Sequence, residues 1–85
     1  MSEKKTDLRV LKTRDNIRRA YLELLRTHTA KEITVTQICR LARINRGTFY
    51  LHYPDTHALL DSIVGDLVEE LSVVIRKYPP QELKD

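Results

Sequence analysis

Ile33-Thr34-Val35-Thr36-Gln37-Ile38-Cys39-Arg40-Leu41-Ala42-Arg43-Ile44-Asn45-Arg46-Gly47-Thr48-Phe49-Tyr50-Leu51-His52-Tyr53-Pro54 contains two helix starts and two helix stops in quick succession. Thr34 followed at the third position by Gln37 has the spacing of a capping box: the hydroxyl accepts from the Gln37 amide while the Gln37 side chain reaches back. The helix that follows spans about 35–42, with Val35, Ile38, Cys39 and Ala42 toward its buried side. Arg43 and Ile44 make the turn. Asn45 is a good N-cap for a further helix over about 46–53, and Pro54 ends that helix and restricts Tyr53. Two short helices joined by a turn of this length form a helix-turn-helix, a unit whose second helix can lie in the DNA major groove.

Working outward, the upstream apolar positions are Ile17, Ala20, Tyr21, Leu24 and Leu25, with His28 closing the series. They fall on one face of a helix over about 14–28, with Thr13 as its cap. Residues 1–12 are polar and basic with isolated Leu8, Val10 and Leu11, and are expected to form a flexible basic arm. Thr27 to Lys31 reads as a polar connection. Downstream, Asp55 or Thr56 caps a fourth, longer helix over about 55–78, which Pro79-Pro80 stop. Positions 60, 64, 67, 71, 74 and 78 make a narrow apolar seam on it, suited to a partner helix. The expected fold is therefore all-α: a three-helix helix-turn-helix head followed by a longer fourth helix.

Composition fits this picture. The 85 residues allow one small domain, and 41% apolar with 32% charged residues excludes a disordered chain. No apolar run approaches the roughly 18 residues that span a bilayer. The charged start (Ser2, Glu3, Lys4, Lys5) has no apolar signal core, so no membrane partner is expected and the expected compartment is the cytoplasm. The lone Cys39 excludes an internal disulfide and reads as an inert core thiol. The net charge of +3 is unevenly distributed: residues 1–53 carry twelve Lys/Arg against five Asp/Glu, and residues 54–85 carry three against seven. A basic front half points to a polyanion, of which nucleic acid is the commonest.

At about 100° per residue, Phe49 and Tyr53 share the inner face of the third helix while Gly47 and Leu51 point directly away. Thr48 and Tyr50 flank that outer face, and Arg46 lies in the first turn. Arg46 presents a planar fork that can bond guanine O6 and N7 together. Gly47 removes a side chain where a backbone must come close to its ligand. Thr48, Tyr50 and His52 offer hydroxyl or imidazole donors to phosphate oxygens. The helix starts at Val35-Thr36 and Arg46-Gly47 add amides that favour a phosphate.

Residues 44–53, above all Gly47-Thr48-Phe49-Tyr50-Leu51-His52-Tyr53, resemble the recognition-helix signature of the TetR family of bacterial transcriptional repressors. Ile33-Thr34-Val35, Ile38, Ala42, Leu59-Leu60 and Arg14 fit the same family's flanking pattern, and the resemblance covers about residues 13–68. It implies a sequence-specific DNA-binding regulator that represses by occupying an operator. Carried over by position, Arg46, Gly47 and Leu51 would touch bases or the groove floor. Thr36, Thr48, Tyr50 and His52 would meet backbone phosphates, and Gln37 joins the expected DNA-binding set. The chain departs from the family in having Arg43 where the turn usually has glycine, which places a non-glycine near the left-handed region. It also has Thr56, beside His57, where the family often has lysine.

TetR-like proteins usually continue into a helical domain that binds a small effector and dimerises. That domain is expected to be absent from a chain of this length. The expected partner is double-stranded DNA with a palindromic operator. A homodimer is expected for the complete architecture, with weak association or monomers for the short chain, and an effector only where a C-terminal domain exists. The alternative function is a helical interaction or dimerisation module that uses the apolar seam of the fourth helix. No paired carboxylates, nucleophile arrangement or phosphate-cradling glycine loop suggests an enzyme. No cofactor is expected, and His28, His52 and His57 lack the spacing of a metal site, since 52 and 57 straddle a proline.

Overall fold

A computed structural model describes the backbone of residues 2–78 and the side chains of residues 8–78. Four α-helices follow one another: α1 (Ser2–Leu24), α2 (Val35–Ala42), α3 (Arg46–His52) and α4 (Thr56–Lys77), with a short 3-10 turn at Ala30–Glu32. No strand occurs among the described residues. The architecture is an all-α helix-turn-helix head with a longer fourth helix.

The stretch that carries the motif folds as its capping residues dictate. Gln37 N donates to Thr34 Oγ1 at 3.2 Å and Thr34 N donates to Gln37 Oε1 at 2.8 Å, closing the capping box of α2. Arg43 ends α2 in the left-handed region (φ 59, ψ 47), with its N–H donating to Cys39 O. Ile44 N also donates to Cys39 O at 3.0 Å, so two amides share that one carbonyl where the helix ends. Asn45 Oδ1 accepts from Thr48 N at 2.7 Å and starts α3. Asp55 Oδ1 does the same for α4, accepting from Ala58 N at 2.8 Å. Pro54 follows an extended Tyr53 (φ −142, ψ 134), as proline sterics require of the preceding residue.

The core is small and single. Ile17, Ala20 and Tyr21 of α1 meet Ile33, Ile38 and Cys39 around α2, Phe49 and Tyr53 at α3, and Leu59 and Ile63 of α4. Leu24, Leu25, Val35, Ala42, Ile44, Ala58 and Leu60 pack around it, partly buried. Tyr21, Phe49, Ile17, Ile38 and Leu59 are the largest fully buried side chains. One or more of these come from each helix, so every element is pinned to the same centre.

Five helix ends differ from the sequence expectation. Residues 2–12 of the segment 1–12, expected as an arm, belong to α1, which begins at Ser2 rather than after Thr13; Met1 lies outside the described residues. Its residues include Leu, Lys, Arg and Glu, all good helix formers, with no Gly or Pro to stop a helix. At its other end α1 closes at Leu24 rather than at His28. His28 N donates to Leu24 O at 2.9 Å and the turn tightens through Arg26 and Thr27. The polar connection contains the 3-10 turn, with Thr29 N donating to Glu32 Oε1 at 2.8 Å. Finally, α3 stops at His52 and α4 runs from Thr56 to Lys77, each one residue inside the expected limits at the ends named.

Candidate nucleic-acid interface

The side chains of α3 divide into two faces. Phe49 is fully buried and Tyr53 nearly so, while Leu51 is 85% and Tyr50 45% exposed. Arg46 and Gly47 are exposed, and Thr48 and His52 are half-buried. The expected outer face therefore points into solvent. Phe49 fixes its direction: the Tyr50 ring meets the Phe49 ring edge-on at 5.5 Å, and the Tyr53 ring lies tilted against it at 5.9 Å. A seven-residue helix has little stability of its own, so this anchoring is what holds the face outward.

Three of the expected residues are joined directly. Arg46 Nη1 donates to Thr36 Oγ1 at 3.2 Å, and Arg46 Nη2 donates to Tyr50 Oη at 3.4 Å. The contact crosses from α3 to the first turn of α2, so the two short helices share one exposed polar surface. Gln37 sits beside Thr36 with its Oε1 committed to the capping box. That leaves only its amide nitrogen to face a ligand. The two caps also take the amides of Gln37 and Thr48, so part of the expected helix-start anion attraction is satisfied internally.

Gly47 is not required by the protein's own interior. A Cβ there would meet only the capping oxygen Asn45 Oδ1, at 3.3 Å, and the residue has no positive φ. Its small size leaves open space on the outer side of the helix.

His52 lies apart from the Arg46 group, toward α1. Burial first, and the Arg14 guanidinium second, push its imidazole below the ordinary histidine value of 6.5. Arg14 is the residue that sequence reasoning did not place in this neighbourhood. Its Nε donates to Tyr53 Oη at 3.3 Å, and its guanidinium stacks over the Tyr53 ring at 5.4 Å. Arg14 and Tyr53 are 39 residues apart, and helical periodicity carries no signal for a contact at that separation. Cys39 is buried, its thiol donating to Asn45 O at 3.7 Å, and burial pushes its pKa up against the opposing pull of Arg46.

The stretch that carries the motif has one sign of charge. Between Ile33 and Pro54 there are three arginines (40, 43, 46) and no acid. The ion pairs among the described residues lie elsewhere: Arg19–Asp15 and Arg26–Glu23 within α1, and Arg18–Asp66 between α1 and α4. No helix of the described residues is long and apolar enough to cross a membrane.

An exposed, positively charged second helix braced on a capped first helix defines a helix-turn-helix unit. The chain is 32% identical over 76 residues, 84% of its length, to a protein of Bacillus subtilis (strain 168) named uncharacterized HTH-type transcriptional regulator YxbF. The match takes in 20% of YxbF, so the chain spans about a fifth of the length of this curated relative. No family model matches the chain. No solved structure matches it either.

Proposed function

We propose that this chain is the DNA-reading head of a transcriptional regulator of the TetR type, one that represses by occupying an operator. The observation that carries this is the outward face of α3, where Arg46 and Tyr50 stand exposed beside a glycine in a stretch free of acids. The name of the Bacillus relative, a helix-turn-helix transcriptional regulator, supports the same class. Arg46 reads a base edge, Gly47 lets the helix backbone come close, and Leu51 contacts the groove floor. Thr36, Thr48, Tyr50 and His52 meet the phosphates of double-stranded DNA and set the register, and Gln37 belongs to the same DNA-binding set. The protein acts in the cytoplasm and is not an enzyme.

The operator is a palindrome read by two heads of a homodimer about 34–36 Å apart. A single head buries little DNA surface, so the 85 residues alone bind weakly and chiefly through charge. Any small-molecule effector belongs to a C-terminal domain of the complete architecture. The exposed apolar residues of the back of α4, among them Leu67, Leu71 and Val74, also favour a second reading, in which this helix is an interaction or dimerisation surface.

Arg46→Ala is expected to weaken binding to the preferred duplex by about 1–3 kcal/mol while changing non-specific binding much less. Fluorescence anisotropy with matched and scrambled duplexes checks this. Equal losses on both would remove base reading from Arg46.

A further inference from the structure

The guanidinium of Arg46 is gripped on two sides before any ligand arrives. One terminal nitrogen donates to Thr36 Oγ1 and the other to Tyr50 Oη, at 3.2 and 3.4 Å. The two acceptors are themselves fixed by independent means. Thr36 is in the first turn of α2, which the Thr34–Gln37 box holds in place. Tyr50 is oriented by its edge-on contact with the fully buried Phe49. Neither hydroxyl is forced into this contact by burial, since Thr36 and Tyr50 are both exposed.

An arginine has five N–H donors, and two hydroxyl contacts leave three for a ligand. A free arginine side chain loses substantial rotamer entropy when it docks, so holding it in advance lowers the cost of binding. A hydroxyl that accepts from a cation keeps its own O–H to donate, and polarisation along the chain strengthens that donation. Thr36 and Tyr50 can therefore each hold Arg46 and donate to a phosphate oxygen at once.

Resting on the DNA-reading function above, we infer that Thr36 and Tyr50 are positioning residues for Arg46. Their hydroxyls couple backbone contact to base discrimination, so that the arginine fork selects guanine sharply only while both hold it. This gives the two residues a part in specificity, beyond the sequence-blind phosphate role that their position suggests.

The brace is tested first in the free chain. Nitrogen-15 NMR of Arg46 is expected to show separate, slowly exchanging terminal nitrogens, which collapse in Thr36→Val and in Tyr50→Phe and persist in Thr36→Ser. Circular dichroism confirms that the variants stay folded. Discrimination is then measured with a duplex recovered by this chain from a randomised pool, against the same duplex with the Arg46-dependent guanine replaced. The unaltered chain is expected to prefer the first by about tenfold or more. Thr36→Val and Tyr50→Phe are each expected to lower that ratio by about threefold or more, Thr36→Ser to restore it, and neither to alter it further in an Arg46→Ala background. Unchanged nitrogen signals in both variants would overturn the brace. Equal weakening on both duplexes, with the ratio intact, would overturn the coupling and leave the hydroxyls as phosphate contacts only. If the unaltered chain shows no preference between duplexes, the DNA-reading function itself falls. The NMR result still decides the brace in that case.

Discussion

Arg43 shows how much a single residue can reveal in this chain. It is the only non-glycine with positive φ among the described residues, at φ 59 and ψ 47. A side chain in this region costs roughly 1–2 kcal/mol, whereas glycine adopts it freely but loses more entropy on folding, about 0.5–1 kcal/mol. The difference favours glycine slightly. Arg43→Gly is expected to leave the fold intact and stabilise it by up to about 1 kcal/mol, with Arg43→Val destabilising it. Thermal melting followed at 222 nm orders the three proteins, and a glycine variant that melts well below the parent would contradict the strain. Retaining arginine despite this cost keeps a third cation on the acid-free stretch between Ile33 and Pro54.

His52 gives a second residue-level consequence. Burial and then Arg14 favour its neutral form, so its folded pKa lies below the 6.5 expected of the unfolded chain. The unfolded state then binds more protons over the interval between the two values. Stability is full above 6.5, falls as pH drops toward the folded value, and becomes flat below it with respect to this group. Proton NMR of the His52 ring is expected to give a midpoint below 6.5, moving upward in Arg14→Gln. A midpoint at or above 6.5 in the parent would contradict the burial of His52 and the placement of Arg14 beside it. A phosphate beside His52 would act in the opposite sense, so added duplex is expected to raise the midpoint.

At the scale of elements, stability rests on caps and one anchor per helix. The α3 helix is seven residues long, too short to persist without tertiary contacts. Phe49 supplies those contacts and Asn45 supplies the missing acceptor at its start. Asn45→Ala is therefore expected to cost about 1 kcal/mol, within a range of 0.5–2. Urea denaturation measures it as a shift in midpoint without a change in slope. A neutral result would mean that α3 is held by packing alone. These same local rules made the helix-turn-helix legible in the sequence. Thr34, Gln37, Asn45 and Pro54 act within three or four residues of themselves, and the side-chain period of α3 places Phe49 inward and Leu51 outward. The start of α1 was not legible for the opposite reason. Residues 8–12 are all exposed and bury no stripe, and periodicity is blind to a helical stretch without a buried face. Nor could spacing reveal the Arg46 link to Thr36 or the Arg14 link to Tyr53, because both join residues that only the tertiary fold brings together.

For the whole molecule, shape and charge run in the same direction. The radius of gyration is 16.2 Å, against about 12 Å for a compact chain of this length. The excess comes from the long helices α1 and α4, which extend beyond the head. The buried residues of α4 are Leu59 and Ile63, in its first two turns, whereas Val64, Leu67, Val68, Leu71, Val74 and Ile75 are exposed. Asp61, Asp66, Glu69 and Glu70 lie along the same helix, and their charge would be repelled by a duplex that attracts the basic head. Among the described residues, the ion pair from this region to α1, Arg18–Asp66 at 3.7 Å, is too solvent-exposed to contribute much.

This division of α4 into a buried front and an uncovered back has a direct consequence. Leu67 and Leu71 are 51% and 57% exposed, so replacing both with Glu removes little burial from the head. The double variant is expected to change unfolding free energy by no more than about 0.5 kcal/mol for each site, the usual range for surface positions. Leu59→Ala, at a fully buried position, is expected to cost about 2–5 kcal/mol, enough to unfold a domain this small. Urea denaturation of the two proteins, with light scattering in parallel, separates the possibilities. If the Leu67/Leu71 variant unfolds as easily as Leu59→Ala, the back of α4 is covered by another molecule that contributes to folding, and scattering of the parent would then exceed that of a monomer. If the parent scatters as a monomer and the double variant keeps its stability, the head folds on the front of α4 alone, and the back remains an exposed apolar face.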